Sequence, residues 1–271
     1  MSEWHALQRP RCLLQGRDIG DGPAVLFQHG LTGDESQVAE CFPTQIRARR
    51  LTLDCRSHGR SGPAPKADCS FATFGDDVLA FADSRGVQQF IAGGISMGAA
   101  IALRIAVKSP ERVKALILVR PAWLWWDSPR NMRPFLEVAK LLRELDPEAA
   151  RALFEISDTA RLLAREGPDN LPSLLKSFAS DKRTETSGLI EAMSGSGPGI
   201  EASDLFALKI PTLVVGHALD AVHPLTMAET LAACIPSAQF VEITPKALDK
   251  PRYTRELTGV IDAFLRSQGL E

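Results

Sequence analysis

The sequence predicts an α/β protein, a mostly parallel, doubly wound sheet carrying a helical insertion. Three observations point there. Short runs at 24–28 (AVLFQ), 51–54 (LTLD), 90–95 (FIAGGI), 115–119 (ALILV), 211–216 (PTLVVG) and 239–243 (QFVEI) are continuously apolar and do not alternate. That is the pattern of strands covered on both faces. Amphipathic stretches fall between them, giving the strand–helix alternation of a doubly wound sheet. From Pro121 to about Leu208 the strand signal stops while helical patterning continues.

Each element has its own local signal. Phe71, Phe74, Val78, Phe81 and Ala82 recur at helical spacing, and Gly86 supplies the stop. Asp76-Asp77 on this segment reads as a solvated face. Near the end, Tyr253, Leu257, Val260, Ile261, Phe264 and Leu265 form a second stripe with Pro251 at its start. The 121–208 block is punctuated by Pro129, Pro134, Pro147, Gly167-Pro168 and Pro172, and 193–199 (MSGSGPG) reads as a flexible return linker. The expected organisation is a core of 1–120 and 209–271 with an insertion at 121–208.

Composition narrows the function classes. The 271 residues are 45% hydrophobic and 24% charged, ordinary for a globular protein. With 31 Lys plus Arg against 33 Asp plus Glu, the net charge of −2 argues against nucleic acid as a partner. The five cysteines at 12, 41, 55, 69 and 234 contain no C-x-x-C pair and read as free thiols of a reducing compartment. The start, MSEWHALQRPR, lacks the apolar core of a signal peptide. No stretch reaches the ~20 apolar residues of a membrane span. The expectation is a cytoplasmic protein without a membrane partner; its oligomeric state is open.

The strongest chemical signal is Gly94-Ile95-Ser96-Met97-Gly98, a G-x-S-x-G pentapeptide between an apolar strand and a helix opening at Ala99. This is the strand–turn–helix setting of a nucleophile elbow. Ser96 must sit on a tight turn for its hydroxyl to project, and glycine on either side removes side chains that would collide there. The following helix N-terminus offers free N–H groups where an oxyanion would form.

With this elbow in place, the chain resembles the α/β-hydrolase-fold family of esterase, lactonase and perhydrolase type over nearly its whole length. Phe27-Gln28-His29-Gly30-Leu31-Thr32-Gly33 is similar to the family's H-G-x-x-G segment, and 54–61 (DCRSHGRS) to its D-x-R-G-H-G-x-S segment, with Ser57 in place of glycine. The resemblance implies an oxyanion hole from the N–H groups of Leu31 and Met97, and a lid at 121–208. It also implies a catalytic acid at Asp220, four residues before Pro224 as in the family's D-x-x-x-P turn.

The base departs from that pattern. Family members run Ser, Asp, His in chain order, and the loop where the histidine belongs, 244–250 (TPKALDK), has none. The histidines are 5, 29, 58, 217 and 223. A serine hydroxyl needs a neighbouring base. His223, three residues past Asp220, is the leading substitute, because a triad is defined by geometry and not by chain order; it reads equally as a pocket residue. His217 ranks below it. Lys246 or Lys250 would need burial to lower its pKa, and a solvated lysine is the simpler reading. His29 is a further candidate for touching the site. Trp123, in the cluster Trp123-Leu124-Trp125-Trp126, is either a substrate-facing wall or packing. His217, Asp220 and His223 are too few for a metal site without a second ligand cluster.

The sequence therefore leads to a hydrolase of an ester, lactone or related small-molecule acyl substrate, with Ser96, Asp220 and His223 as catalytic residues and no cofactor. Two alternatives stand beside it. One is a catalytically impaired binding or regulatory protein on the same fold; the other is a lyase-like acid–base enzyme using the same pocket.

Overall fold

The computed structural model describes residues 4–180 and 182–270. Eight strands form one sheet: β1 (Trp4–Arg9), β2 (Cys12–Ile19), β3 (Ala24–Gln28), β4 (Arg49–Asp54), β5 (Phe90–Ile95), β6 (Val113–Val119), β7 (Thr212–Gly216) and β8 (Ala238–Glu242). Their spatial order is β1-β2-β4-β3-β5-β6-β7-β8. From β4 onward all pairings are parallel; β1–β2 and β2–β4 are antiparallel.

The apolar runs of the inner strands have a direct cause, whereas β8, expected to be covered on both faces, lies at the sheet edge and is partly exposed. Along β6, Leu116 and Leu118 pack into one core, while Ala115, Ile117 and Val119 pack into another on the opposite face. Helices α2 (Phe71–Ser84) and α3 (Met97–Lys108) cover the first face. Helices α1 (Glu35–Cys41) and α11 (Lys250–Ser267) cover the second. The expected helix starts have physical caps: Ser70 accepts from the Thr73 N–H, and Asp249 accepts from the Arg252 N–H ahead of Pro251.

Between β6 and β7 the described residues hold helices and no strand: α4 (Arg133–Glu144), α5 (Pro147–Glu155), α6 (Asp158–Glu166), α7 (Asn170–Leu175), α8 (Arg183–Ser194) and α9 (Ala202–Ala207). Pro134 and Pro147 open helices, where a missing N–H costs nothing. Helix α10 (Leu225–Cys234) then joins β7 to β8.

Two expectations need correction, and one element goes beyond the predicted strands. The β1–β2 hairpin precedes β3. It sits at the sheet edge with partly exposed residues, so it lacks the solid apolar run that marks the inner strands. The 193–199 stretch is not a free linker. Met193 and Ser194 finish α8 and are buried, the Ser196 carbonyl accepts from the Trp123 indole, and that of Pro198 accepts from Arg104. Asp77 is not solvated. It is 1% exposed and bound by Arg56 and Arg9, because it lies three residues after Phe74 and four before Phe81, on the core face of α2.

All five cysteines are free. Among the described residues, no helix is long and apolar enough to cross a membrane.

Candidate active site

The site forms where β3, β5, β6 and β7 end. Ser96 leaves β5 at φ 56° and ψ −111°, a left-handed backbone that a non-glycine residue adopts only under strain. Its N–H donates to the Val119 carbonyl at 2.9 Å, fixing the turn against β6. A Cβ on Gly94 would lie 2.3 Å from the Gly98 carbonyl carbon, and one on Gly98 would lie 2.2 Å from the Gln28 carbonyl oxygen. Both contacts are with backbone, which cannot swing aside. Gly98→Ala is therefore expected to destabilise the fold by about 3 kcal/mol, the upper range for overpacking, read by urea unfolding.

Leaving β3, His29 is fully buried. Its Nε2 accepts from the Cys55 N–H at 3.0 Å, so Nδ1 carries the proton and donates to the Gly30 carbonyl at 2.8 Å. Burial lowers its pKa, consistent with this neutral tautomer. The Gly30 N–H donates to Gln37 Oε1 at 2.7 Å. These bonds shape the loop that presents Leu31 to the pocket; His29 itself does not line it.

Asp220 and His223 arrive together on the turn after β7. The His223 backbone N–H donates to Asp220 Oδ1 at 3.0 Å, closing the turn. That closure brings His223 Nδ1 to 2.9 and 3.0 Å from the two carboxylate oxygens. On the far side of the ring, Nε2 lies 2.8 Å from Ser96 Oγ. The structure thus brings Ser96, His223 and Asp220 into one hydrogen-bonded chain.

Residues without a sequence motif hold the carboxylate. Arg120, at φ 47° just past β6, donates from Nε to Asp220 Oδ2 at 2.7 Å, and its Nη2 lies 3.0 Å from Asp169 Oδ2. Asn170 donates to Asp220 Oδ1 at 2.9 Å and accepts from the Val222 N–H at 3.0 Å. Burial pushes the Asp220 pKa up, but the Arg120 charge, His223 and their hydrogen bonds outweigh it, leaving the carboxyl well below its ordinary value. Asp220 is accordingly an anion at neutral pH.

The other candidates fall elsewhere. His217 is buried, stacked edge-on against Tyr253, with Nε2 3.6 Å from Asp220. Burial, then the Arg120 charge, lowers its pKa. Lys250 is exposed and paired with Glu40 at 2.8 Å. Lys246, expected in solvent, instead lines the pocket. Burial and the nearby Arg120 charge lower its pKa. Trp123 is fully buried, its indole against Phe71 with ring centroids 5.1 Å apart and its N–H on the Ser196 carbonyl. It packs the helical block onto α2 and does not line the Ser96 pocket, so its place as a substrate wall is corrected. Asp169, His217 and Asp220 offer ligand atoms within 4.8 Å of one another. The Arg120 guanidinium already binds both carboxylates, so this set does not fit a metal ion.

The pocket over Ser96 has a volume of about 70 Å³ and is lined by Leu31, Gln37, Arg120, Phe135, Asn170, Leu174, Val222, His223 and Lys246 among others. Met97 follows Ser96 as the first residue of α3.

Comparison with known proteins agrees with this architecture. The chain is 30% identical over 229 residues to a Klebsiella pneumoniae protein named "Putative carbamate hydrolase RutD", covering 82% of each. It is 24% identical over 277 residues to 3-oxoadipate enol-lactonase 1 of Acinetobacter baylyi, covering 98% of this chain and 99% of that one. The solved thermophilic esterase of Thermogutta terrifontis superposes with a TM-score of 0.74 at 23% identity, covering 98% and 99% of the two chains. Residues 23–247 match the alpha/beta hydrolase fold family, and the protein belongs to that family.

Proposed function

We propose that the protein is a serine hydrolase of small ester, lactone or carbamate substrates, with Ser96 as nucleophile, His223 as base and Asp220 as acid. The observation that carries this reading is the 2.8 Å contact between Ser96 Oγ and His223 Nε2, with His223 Nδ1 held on Asp220. A serine hydroxyl becomes a nucleophile when such an acceptor takes its proton. The names of the Klebsiella and Acinetobacter relatives, a carbamate hydrolase and an enol-lactonase, support a carbonyl bearing an oxygen leaving group.

In this mechanism Ser96 Oγ attacks the carbonyl carbon as its proton passes to His223 Nε2. Asp220 holds Nδ1–H and stabilises the imidazolium by its charge. The N–H groups of Leu31 and Met97 receive the oxyanion, the second at a helix N-terminus where the backbone dipole favours negative charge. The imidazolium then protonates the leaving group. Water, deprotonated by the same nitrogen, releases the acyl group. The 121–208 block acts as a lid, since Phe135, Asn170 and Leu174 come from it to the pocket wall.

Turnover of p-nitrophenyl acetate and butyrate, with fluorophosphonate labelling read by intact mass, tests this. The expected result is turnover and one label, located at Ser96 and absent from Ser96→Ala. A folded native protein that neither turns over nor labels would sink the reading in favour of a binding role.

A further inference from the structure

The residues lining the Ser96 pocket include two cations and no carboxylate. One cation is already neutralised: Arg120 Nη2 lies 2.5 Å from Asp220 and 3.0 Å from Asp169. The other is not. Among the described residues, no carboxylate oxygen lies within 4.0 Å of Lys246 Nζ. The ammonium instead sits 6.0 Å from the centroid of the Tyr253 ring, with the Arg120 guanidinium 5.9 Å from the same centroid. Burial and the Arg120 charge lower the Lys246 pKa, and the more distant Asp169 and Glu40 carboxylates offset them only in part; an incoming anion relieves both the burial and the repulsion. Lys246 is not needed as a base, because Ser96 Oγ is already bonded to His223.

The remaining walls define the rest of the guest. Leu31, Phe135, Leu174 and Val222 are apolar, and the cavity of about 70 Å³ is far below the roughly 300 Å³ at which drug-sized ligands begin to fit. Resting on the hydrolase reading above, we infer that the substrates are short acyl compounds carrying a carboxylate, and that Lys246 is the specificity residue that binds it. The ammonium supplies a charge-assisted hydrogen bond, and the apolar walls take the few carbons between carboxylate and scissile carbonyl.

Two measurements test this together. The first is kcat/KM for p-nitrophenyl hemisuccinate against p-nitrophenyl butyrate, in the native protein and in Lys246→Met and Lys246→Arg. The native protein should prefer the anionic ester, and Lys246→Met should reduce the anionic-to-neutral ratio by about 10- to 100-fold, the worth of a hydrogen bond to a charged group. Lys246→Arg should keep part of it. The second is calorimetric titration of Ser96→Ala with monomethyl succinate and methyl butyrate, with and without Lys246→Met. Tighter binding of the anion that disappears with Lys246→Met supports the site independently of turnover. If that binding persists while the native protein hydrolyses neither ester and takes no label, the hydrolase reading fails and the anion site stands. An anionic-to-neutral ratio or an affinity indifferent to Lys246→Met overturns the inference.

Discussion

His223→Ala is expected to keep its fold and to lose hydrolysis of activated esters by about four orders of magnitude, approaching the level that binding and the oxyanion hole alone sustain. The fold survives because the ring is at the pocket surface, 11% exposed, and its removal opens no closed cavity. Activity does not survive, because Nε2 is the acceptor in contact with Ser96 Oγ. The double variant with Ser96→Ala should be no worse than either single one, since members of a proton-transfer unit are not additive. His217→Ala separates this from the rival assignment: its ring contacts Tyr253 and faces Asp220, so loss of the His217 side chain should spare far more activity. Steady-state kcat/KM with circular dichroism of each variant checks these outcomes. Activity retained in His223→Ala and lost in His217→Ala would reverse the base assignment.

Arg120→Met is expected to cost about 3–5 kcal/mol of stability at neutral pH, because it leaves a buried carboxylate without its cation. The pair is well enclosed: the side chains of Arg120 and Asp220 are 7% and 0% exposed. The pH dependence has a definite sign. Asp220 is held well below its ordinary value of 3.8 in the folded protein. Its contribution to stability is therefore complete above that value and lost as pH falls through the lower folded pKa. Without Arg120 the largest lowering influence is lost, and burial is opposed only by His223 and His217. The gap between native and variant proteins should be widest near pH 7 and narrow as pH falls below about 4. Urea unfolding at pH 7 and at steps from pH 4 downward measures it, and a gap unchanged across that range would exclude the ion pair as its source.

The inner strands were legible because burial on both faces leaves them few polar positions. Leu116 and Leu118 serve one core and Ile117 and Val119 the other. The edge hairpin carries no such constraint and was missed. Ser96 was legible from the glycines its turn requires, as the backbone contacts at Gly94 and Gly98 explain. His223 was reachable from its spacing to Asp220, though only the turn closed by its own N–H shows why three residues suffice. Arg120 has a signal in the sequence, a charged residue directly after an apolar strand, at the carboxyl ends of the strands where sites form. Asn170 had none. It meets Asp220 across 50 residues of chain, and no local pattern encodes that contact. Asp77 was misread by taking the charge of a residue over its place in the 3.6-residue repeat.

Because Asp220 and His223 share one tetrapeptide, 220–223, the length of the chain is constrained in unequal ways. A residue deleted inside that turn displaces both partners at once and leaves Ser96 without an acceptor. Residues inserted between β8 and α11 leave the Ser96–His223–Asp220 contacts unchanged. Insertion and deletion should thus have different consequences in two neighbouring loops on the same edge of the sheet: in the first they remove the contact with Ser96, and in the second they move Lys246 at the pocket wall and change which substrates are preferred.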